Sequence, residues 1–430
     1  MRKIIIVTTA ILMSFSLKAI AQSGTNSPYS MYGLGVLSDR SQGFNRAMSG
    51  VAQGMSDGNQ INAQNPASYS NVDSLSFIFD IGMSLLNTNL QEGGNRMNAK
   101  TANYEYGLAA FRVAKNLGCS FGILPYSNIG YNFYQTGTTT GAVSDTYTTT
   151  YYGKGGLRDL YLGFGWRPTK YFSLGVNGSY IWGNYSKTVT STHSVTSASS
   201  LVREYNSDIH SYKLDIGAQI YIPLSKDQQL TIGGTYTPGH NLGNKAIVYD
   251  IKTDTTSYEL KNALDIPNTL SLGVAWKYKN KWKVGADFTL YKFGKLQTPV
   301  MSDNGQKYAY TLKDGYLLDK KKFAIGAEWL PDEFALSLLK RIRYRVGGFY
   351  STPYIKVTDS SARLVDGPKE MGLSFGFGIP IMNSYNNRSI VNISGQWVKS
   401  SLDNYIKENY FRINIGITFN ERWFAKWKFE

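Results

Sequence analysis

From Phe411 to Phe419 the chain alternates without interruption. Phe411, Ile413, Ile415, Ile417 and Phe419 are apolar, and Arg412, Asn414, Gly416 and Thr418 between them are polar or small. Successive side chains of a strand point to opposite faces, so this run describes one strand with two different surroundings. The pattern recurs, and strands are predicted near residues 75–90, 101–114, 118–136, 157–167, 170–189, 205–222, 228–251, 257–278, 281–297, 306–329, 341–357, 370–381, 388–400 and 408–419. They number fourteen. An even number of antiparallel strands can close with both chain ends on one side, and closure removes the unpaired edges that hydrocarbon cannot satisfy. The expected fold is all-β: a 14-stranded antiparallel transmembrane β-barrel over residues 74–419, apolar toward lipid and polar toward its lumen.

Facing follows from the same period. Tyr212, Leu214, Ile216, Ala218, Ile220 and Ile222 share one side of their strand, opposite Lys213, Asp215, Gly217 and Gln219. On the strand from 281, Trp282, Val284, Ala286, Phe288 and Leu290 oppose Lys283, Gly285, Asp287 and Thr289. Glu328, Arg341, Arg343 and Arg345 also fall on the inner set, so with Asp287 they are predicted lumen charges. The opposite orientation would place charges on lipid, at about 2–4 kcal/mol each for a basic residue near the midplane. The 32 Tyr and 43 Gly fit the same fold, as interfacial girdles and as room on a crowded inner face.

Connectors give an independent rhythm. Short links at Lys115 to Leu117, Pro168–Thr169, Pro223 to Gln228 and Asn280 alternate with long Ser-, Thr-, Gly- and Asn-rich segments such as Gly137 to Gly156 and Thr190 to Arg203. Longer inner links, Pro331 to Lys340 with an expected helical turn at Phe334, Leu338 and Leu339, and Ile381 to Asn387, vary the pattern. A barrel with short periplasmic turns and long outer loops has this rhythm.

Arg2 and Lys3 precede an apolar stretch from Ile4 to Leu17 and an Ala19-Ile20-Ala21 cleavage site, so residues 1–21 read as a secretory signal. No segment offers the roughly 20 apolar residues of a transmembrane helix. The formal charge of +15 falls by the charges of Arg2, Lys3 and Lys18 on cleavage, and the chain stays basic. Anionic lipid and lipopolysaccharide are the partners this favours; the basic residues form no patch for nucleic acid. Cys119 is the only cysteine, which excludes an internal disulfide.

Residues 22–73 have no sustained period and could form a disordered tail, a periplasmic domain or a plug; their apolar positions (Met31, Tyr32, Leu34, Val36, Leu37, Met48, Val51, Met55) favour a packed segment, an amino-terminal lumenal plug or hatch. Residues 420–430 read as a periplasmic tail or an extension of the last strand. The plug contains Asn45-Arg46-Ala47-Met48-Ser49-Gly50-Val51-Ala52, then Asp57, then Asn65-Pro66-Ala67, and a later stretch reads Ile266-Pro267-Asn268-Thr269-Leu270-Ser271-Leu272-Gly273. These stretches resemble the hatch and a strand opening of the FadL-type outer-membrane transporters for long-chain fatty acids and other hydrophobic compounds. Gln64 and Ser68 depart from that pattern.

The resemblance implies an outer-membrane barrel of a Gram-negative bacterium, a hatch hinge at Asn65, Pro66 and Ala67, and an inward kink of the third strand that opens a lateral exit. Gly122, Pro125 and Gly130 interrupt the apolar run Phe121 to Phe133 and are the candidates for such a kink, or for a bulge with no passage.

Chemistry for an enzyme is missing from the pattern. His193, His210 and His240 lie far apart, no metal-ligand spacing occurs, and no nucleophile or phosphate-cradling motif is present, so no catalytic residue, metal or cofactor is expected. His210 with Ser211 is the weak remaining candidate for a lipid enzyme. Two functions stay open: passive uptake of fatty-acid-like hydrophobic compounds through a lumenal pocket and side opening, and a non-transporting accessory barrel in an envelope secretion or protein-assembly complex, with other envelope proteins as partners.

Overall fold

The computed structural model describes residues 24–139, 145–194, 200–252, 254–303, 308–358, 363–381, 389–402 and 405–422; the signal segment 1–21, most of the link 381–387 and the tail beyond 422 lie outside them. Fourteen antiparallel strands close into one barrel. They are β1 (Ser76–Glu92), β2 (Asn95–Ala114), β3 (Leu117–Thr139), β4 (Asp145–Thr169), β5 (Phe172–His193), β6 (Leu201–Pro223) and β7 (Gln228–Thr237 and Lys245–Ile251). The ring continues with β8 (Thr255–Lys261 and Asn268–Tyr278), β9 (Trp282–Lys292), β10 (Lys320–Trp329), β11 (Arg343–Ser351), β12 (Lys369–Ile381), β13 (Ser389–Ser401) and β14 (Lys407–Arg422). Each pairs with the next, and β1 closes the ring on β14 from Ser76 opposite Arg422 to Gln91 opposite Lys407.

Exposure follows the two-residue period. Met83 and Leu85 of β1, Leu160, Leu162 and Phe164 of β4, and Ile413 and Ile415 of β14 are exposed. Asp80, Ser84, Asp159 and Asn414 on the same strands are buried. Apolar outside and polar inside inverts the order of a water-soluble protein and suits an outer face in lipid. Along one rim the outer face carries a row of packed rings: Trp282 on Trp329 at 5.7 Å, Trp329 on Tyr344 at 5.6 Å and Tyr344 on Phe377 at 5.8 Å. The described residues contain no helix long and apolar enough to cross a membrane.

Some strand limits differ from expectation. Much of the expected loops 137–156 and 190–203 is strand, because β3 runs to Thr139, β4 starts at Asp145, β5 runs to His193 and β6 starts at Leu201. These extensions are polar on both faces, so alternation does not reveal them; paired neighbours supply the ladder. Expected strands 228–251 and 257–278 are each interrupted, around Pro238 and Pro267, where proline withholds a ladder donor. The stretches 298–303 and 308–313 form a separate hairpin, so β9 and β10 are shorter than 281–297 and 306–329. β11 likewise ends at Ser351, and Lys356–Thr358 pairs instead with Leu364–Asp366.

The amino-terminal segment 24–73 has little regular structure: a one-turn helix α1 (Gly43–Arg46), two short 3-10 helices (Pro28–Met31 and Pro66–Asn71) and the two-residue strand Val36–Leu37. It is nevertheless largely buried. Its backbone approaches glycines of many strands. A Cβ on Gly175 of β5 would come within 2.3 Å of Pro66, and one on Gly347 of β11 within 2.4 Å of Met48. Glycine is needed at both because backbone meets backbone there.

Candidate functional site

Irregular backbone that is buried must find partners for its polar groups, and in this segment side chains of the barrel provide many of them. Asn65 caps the second 3-10 helix: its Oδ1 accepts from Ala67 N at 3.1 Å, while Nδ2 donates to Gln53 O at 2.8 Å and to Ala218 O of β6 at 3.3 Å. Pro66 opens that helix where no amide donor is missed. Asn65, Pro66 and Ala67 thus form a capped turn tied to the wall. Gln42 and Asn45 cap α1 reciprocally, and Ser374 of β12 accepts from Ser49 N at 2.9 Å.

Charged pairs complete the contact. Asp287 accepts from Ala52 N and Gln53 N at 2.6 and 3.0 Å. Glu328 is bound by Arg343 at 3.0 Å, Arg345 at 2.7 Å and Lys283 at 3.0 Å, and Lys283 also meets Asp57. Arg341 stands apart from them: it belongs to the one-turn helix α2 (Leu338–Arg341) ahead of β11 and does not share the strand face of Arg343 and Arg345. Arg40 pairs with Asp159 at 3.0 Å and Asp215 at 3.6 Å, and Lys213 lies 3.2 Å from Asp159. Arg46 meets Glu105 at 3.1 Å and Asn414 at 2.9 Å. Burial would raise the pKa of Asp39, but the positive charges of Lys322, Arg46 and Arg412 outweigh it and hold the carboxyl down at about 2.

The wall itself changes at β3. Its ladder with β2 runs from Leu117 to Ile123, the last opposite Gly107, and goes no further. Its register with β4 slips between Pro125 and Ser127. Gly122 therefore lies in the regular ladder, Pro125 at the slip and Gly130 beyond it. Above the slip the chain's own amino-terminal segment takes the place of β2: Val36 and Leu37 pair with Asn128 and Ser127, and Ser30 Oγ exchanges hydrogen bonds with Gly130 N and O at 3.1 and 3.2 Å. On the other side Asn103 Nδ2 donates to Gly24 O at 2.9 Å and Asn26 bonds Thr101.

The neighbouring strand β4 departs from regular strand dihedrals at the same level. Gly155 and Gly156 of β4 have φ of 130° and 142°, in the region other residues avoid, and a Cβ on Gly156 would lie 2.4 Å from Ser127 O. The Gly153-Lys154-Gly155-Gly156 cluster is the sequence signal for this irregularity of β4, which the strand pattern alone does not show.

A cavity of about 1030 Å³ opens between the amino-terminal segment and the wall, reaching Pro125 and Asn128 at the slip. Its lining includes Glu105, Arg158, Lys322, Glu370, Glu408 and Arg412. A cluster of buried apolar side chains, including Leu34, Ile129, Tyr185, Ile209, Phe293 and Tyr354, packs around the same segment, and Tyr354 also lines the cavity. The weak candidate pair His210 and Ser211 does not come together as a hydrogen-bonded pair: His210 Nδ1 hydrogen-bonds Tyr180 Oη at 2.7 Å, and Ser211 reaches His240 at 3.3 Å. Among the described residues no His, Cys, Asp and Glu group is arranged to hold a metal.

Against known proteins, a family model described as BamG matches residues 1–430. No curated protein matches the sequence. The fold is similar to solved FadL-type structures. A Pseudomonas aeruginosa FadL homologue gives a TM-score of 0.59 at 12% identity, covering 90% of this chain and 98% of that one. The Pseudomonas putida toluene transporter TodX gives 0.58 at 14% identity, covering 91% and 100%. The Ralstonia pickettii toluene transporter TbuX gives 0.57 at 12%, covering 87% and 96%.

Proposed function

This chain belongs to the BamG family, and on that premise we propose that it is a non-transporting, structural or accessory barrel subunit of an outer-membrane secretion or protein-assembly complex. The observation that carries this reading is the lining of the cavity. A site for a hydrophobic solute is built mainly of apolar side chains with a few placed polar groups. Here Glu105, Arg158, Lys322, Glu370, Glu408 and Arg412 share the lining with apolar groups such as Leu37, Trp182, Phe349 and Ile355, so an apolar guest filling the space would strip water from several charges without replacing it.

In this function the barrel sits in the outer membrane of a Gram-negative bacterium, among lipids and lipopolysaccharide. Residues 22–73 are its plug, and Asn65, Pro66 and Ala67 are a fixed turn of that plug. Asp287, Glu328, Arg343 and Arg345 hold the plug side of the lumen, and envelope proteins are its partners. No catalytic step belongs to it. Affinity purification from gently solubilised membranes tests the proposal: envelope proteins in stoichiometric amount are expected, and a barrel that runs alone, with loss of hydrophobic-compound uptake on deletion, overturns it.

One observation favours a second reading. The ladder between β2 and β3 is interrupted, and the cavity reaches that interruption. An inward kink between Gly122 and Gly130 would then serve as a lateral exit for fatty-acid-like molecules, as it does in the resembled transporters, once residues 24–37 move aside. Uptake of a labelled long-chain fatty acid by cells with and without the protein decides between the two.

A further inference from the structure

The link between β10 and β11 exposes apolar side chains that no strand face explains. Phe334 is 90% exposed, Leu336 fully, Leu339 67% and Leu338 46%. None of the residues of α2 is buried, so its turn packs no face on the barrel. The loop is held together by its own backbone: Asp332 N donates to Lys340 O at 2.9 Å and Ile342 N to Leu338 O at 3.1 Å. Four large apolar groups within six residues, turned to water, form the kind of patch that soluble surfaces avoid.

The position of the loop says what covers it. Tyr344 Oη donates to Leu339 O at 3.0 Å. Tyr344 belongs to the row of rings on the outer face, packed against Trp329 and Phe377, with Trp329 on Trp282. Trp and Tyr gather where the hydrocarbon gives way to headgroups. The bond therefore ties the loop to the lipid side of the rim, at that level, and the apolar surface continues the one that the barrel wall already presents. Lys340, exposed, follows directly.

We propose that residues 334–340 are a membrane-surface anchor on the leaflet at the short-turn rim. Phe334, Leu336, Leu338 and Leu339 enter the boundary of its acyl chains, and Lys340 meets anionic headgroups. The loop fixes the depth and tilt of this side of the barrel, independently of whether the lumen conducts.

The test uses the full-length protein in nanodiscs of phosphatidylethanolamine with phosphatidylglycerol. An environment-sensitive nitrobenzoxadiazole dye is attached at Leu336→Cys and, separately, at Phe334→Cys; Cys119 is buried and stays unlabelled in the folded barrel. Ser225→Cys, in an exposed turn of the same rim, is the water reference, and Leu373→Cys, on the outer face of β12, the lipid reference. The expected result is blue-shifted emission at 334 and 336, quenched by doxyl lipid labelled near the headgroup and resistant to iodide. Iodide quenching like that at Ser225 overturns the proposal. So does a dye exposed in nanodiscs and protected only in native membranes, which would assign the loop to a protein partner.

Discussion

Asp287, on the inner face of β9, receives the amide proton of Ala52 at 2.6 Å. The same oxygen accepts from Gln53 at 3.0 Å, so one carboxylate anchors two successive backbone groups of a segment with almost no regular structure of its own.

Asp287→Ala removes both bonds and leaves two buried amides without acceptors, at about 1–3 kcal/mol each. The expected outcome is a barrel that still folds, judged by its heat-modifiable gel mobility, with amide exchange at 52 and 53 faster by ten-fold or more. Unchanged exchange would show that the segment is held elsewhere.

Among the described residues Glu328 is the only carboxylate within salt-bridge reach of the buried Arg345 guanidinium, and it also bears Arg343 and Lys283. Glu328→Gln leaves the buried Arg345 and Arg343 without their carboxylate, while Lys283 keeps Asp57, and removing one partner of a buried pair typically costs about 3–5 kcal/mol. A fall in the yield of folded barrel and a lower unfolding midpoint are expected. Adding Arg345→Gln should restore part of the loss, a recovery that simple packing damage would not give.

Asn26 and Thr101 face each other across the interrupted wall. The pair Asn26→Cys and Thr101→Cys should oxidise to a disulfide that staples residues 24–30 over the gap. For an accessory barrel the staple leaves co-purification with partners unchanged in the oxidised state. For lateral uptake it abolishes transport reversibly, with recovery on reduction.

Asp39 has its carboxyl held at about 2 in the folded chain, below the roughly 3.9 of a free aspartate. A depressed folded-state pKa adds stability above the unfolded value and loses it as pH falls through the folded one. The stability gap between the native chain and Asp39→Asn should therefore be full at neutral pH and shrink between about pH 4 and 2. Equal gaps at both ends of that window, measured by thermal melting in detergent, would mean that its cations do not set its ionisation.

Much of the barrel was legible in the sequence because a strand's side-chain period is a local property. Phe411 to Phe419, Tyr212 to Ile222 and Trp282 to Leu290 each announce their two faces without reference to any neighbour, and the buried Lys213, Asp215, Asp287 and Asn414 lie on the polar side of that reading. The limits of the strands were less legible. Where both faces are polar, as in the extensions beyond Phe133 and before Gly153, only the partner strand shows that the chain is paired.

What the amino-acid order determined by itself was the two-faced strand and its repetition fourteen times. Only the tertiary structure decided which groups meet: that Asn65 reaches Ala218, that Arg341 leaves the row of Arg343 and Arg345, and that residues 24–37 occupy the interval between β2 and β3. Alternation is written in neighbours along the chain. Many partners of an aperiodic segment lie on distant strands, and its backbone takes whatever path satisfies its buried amides against the closed wall.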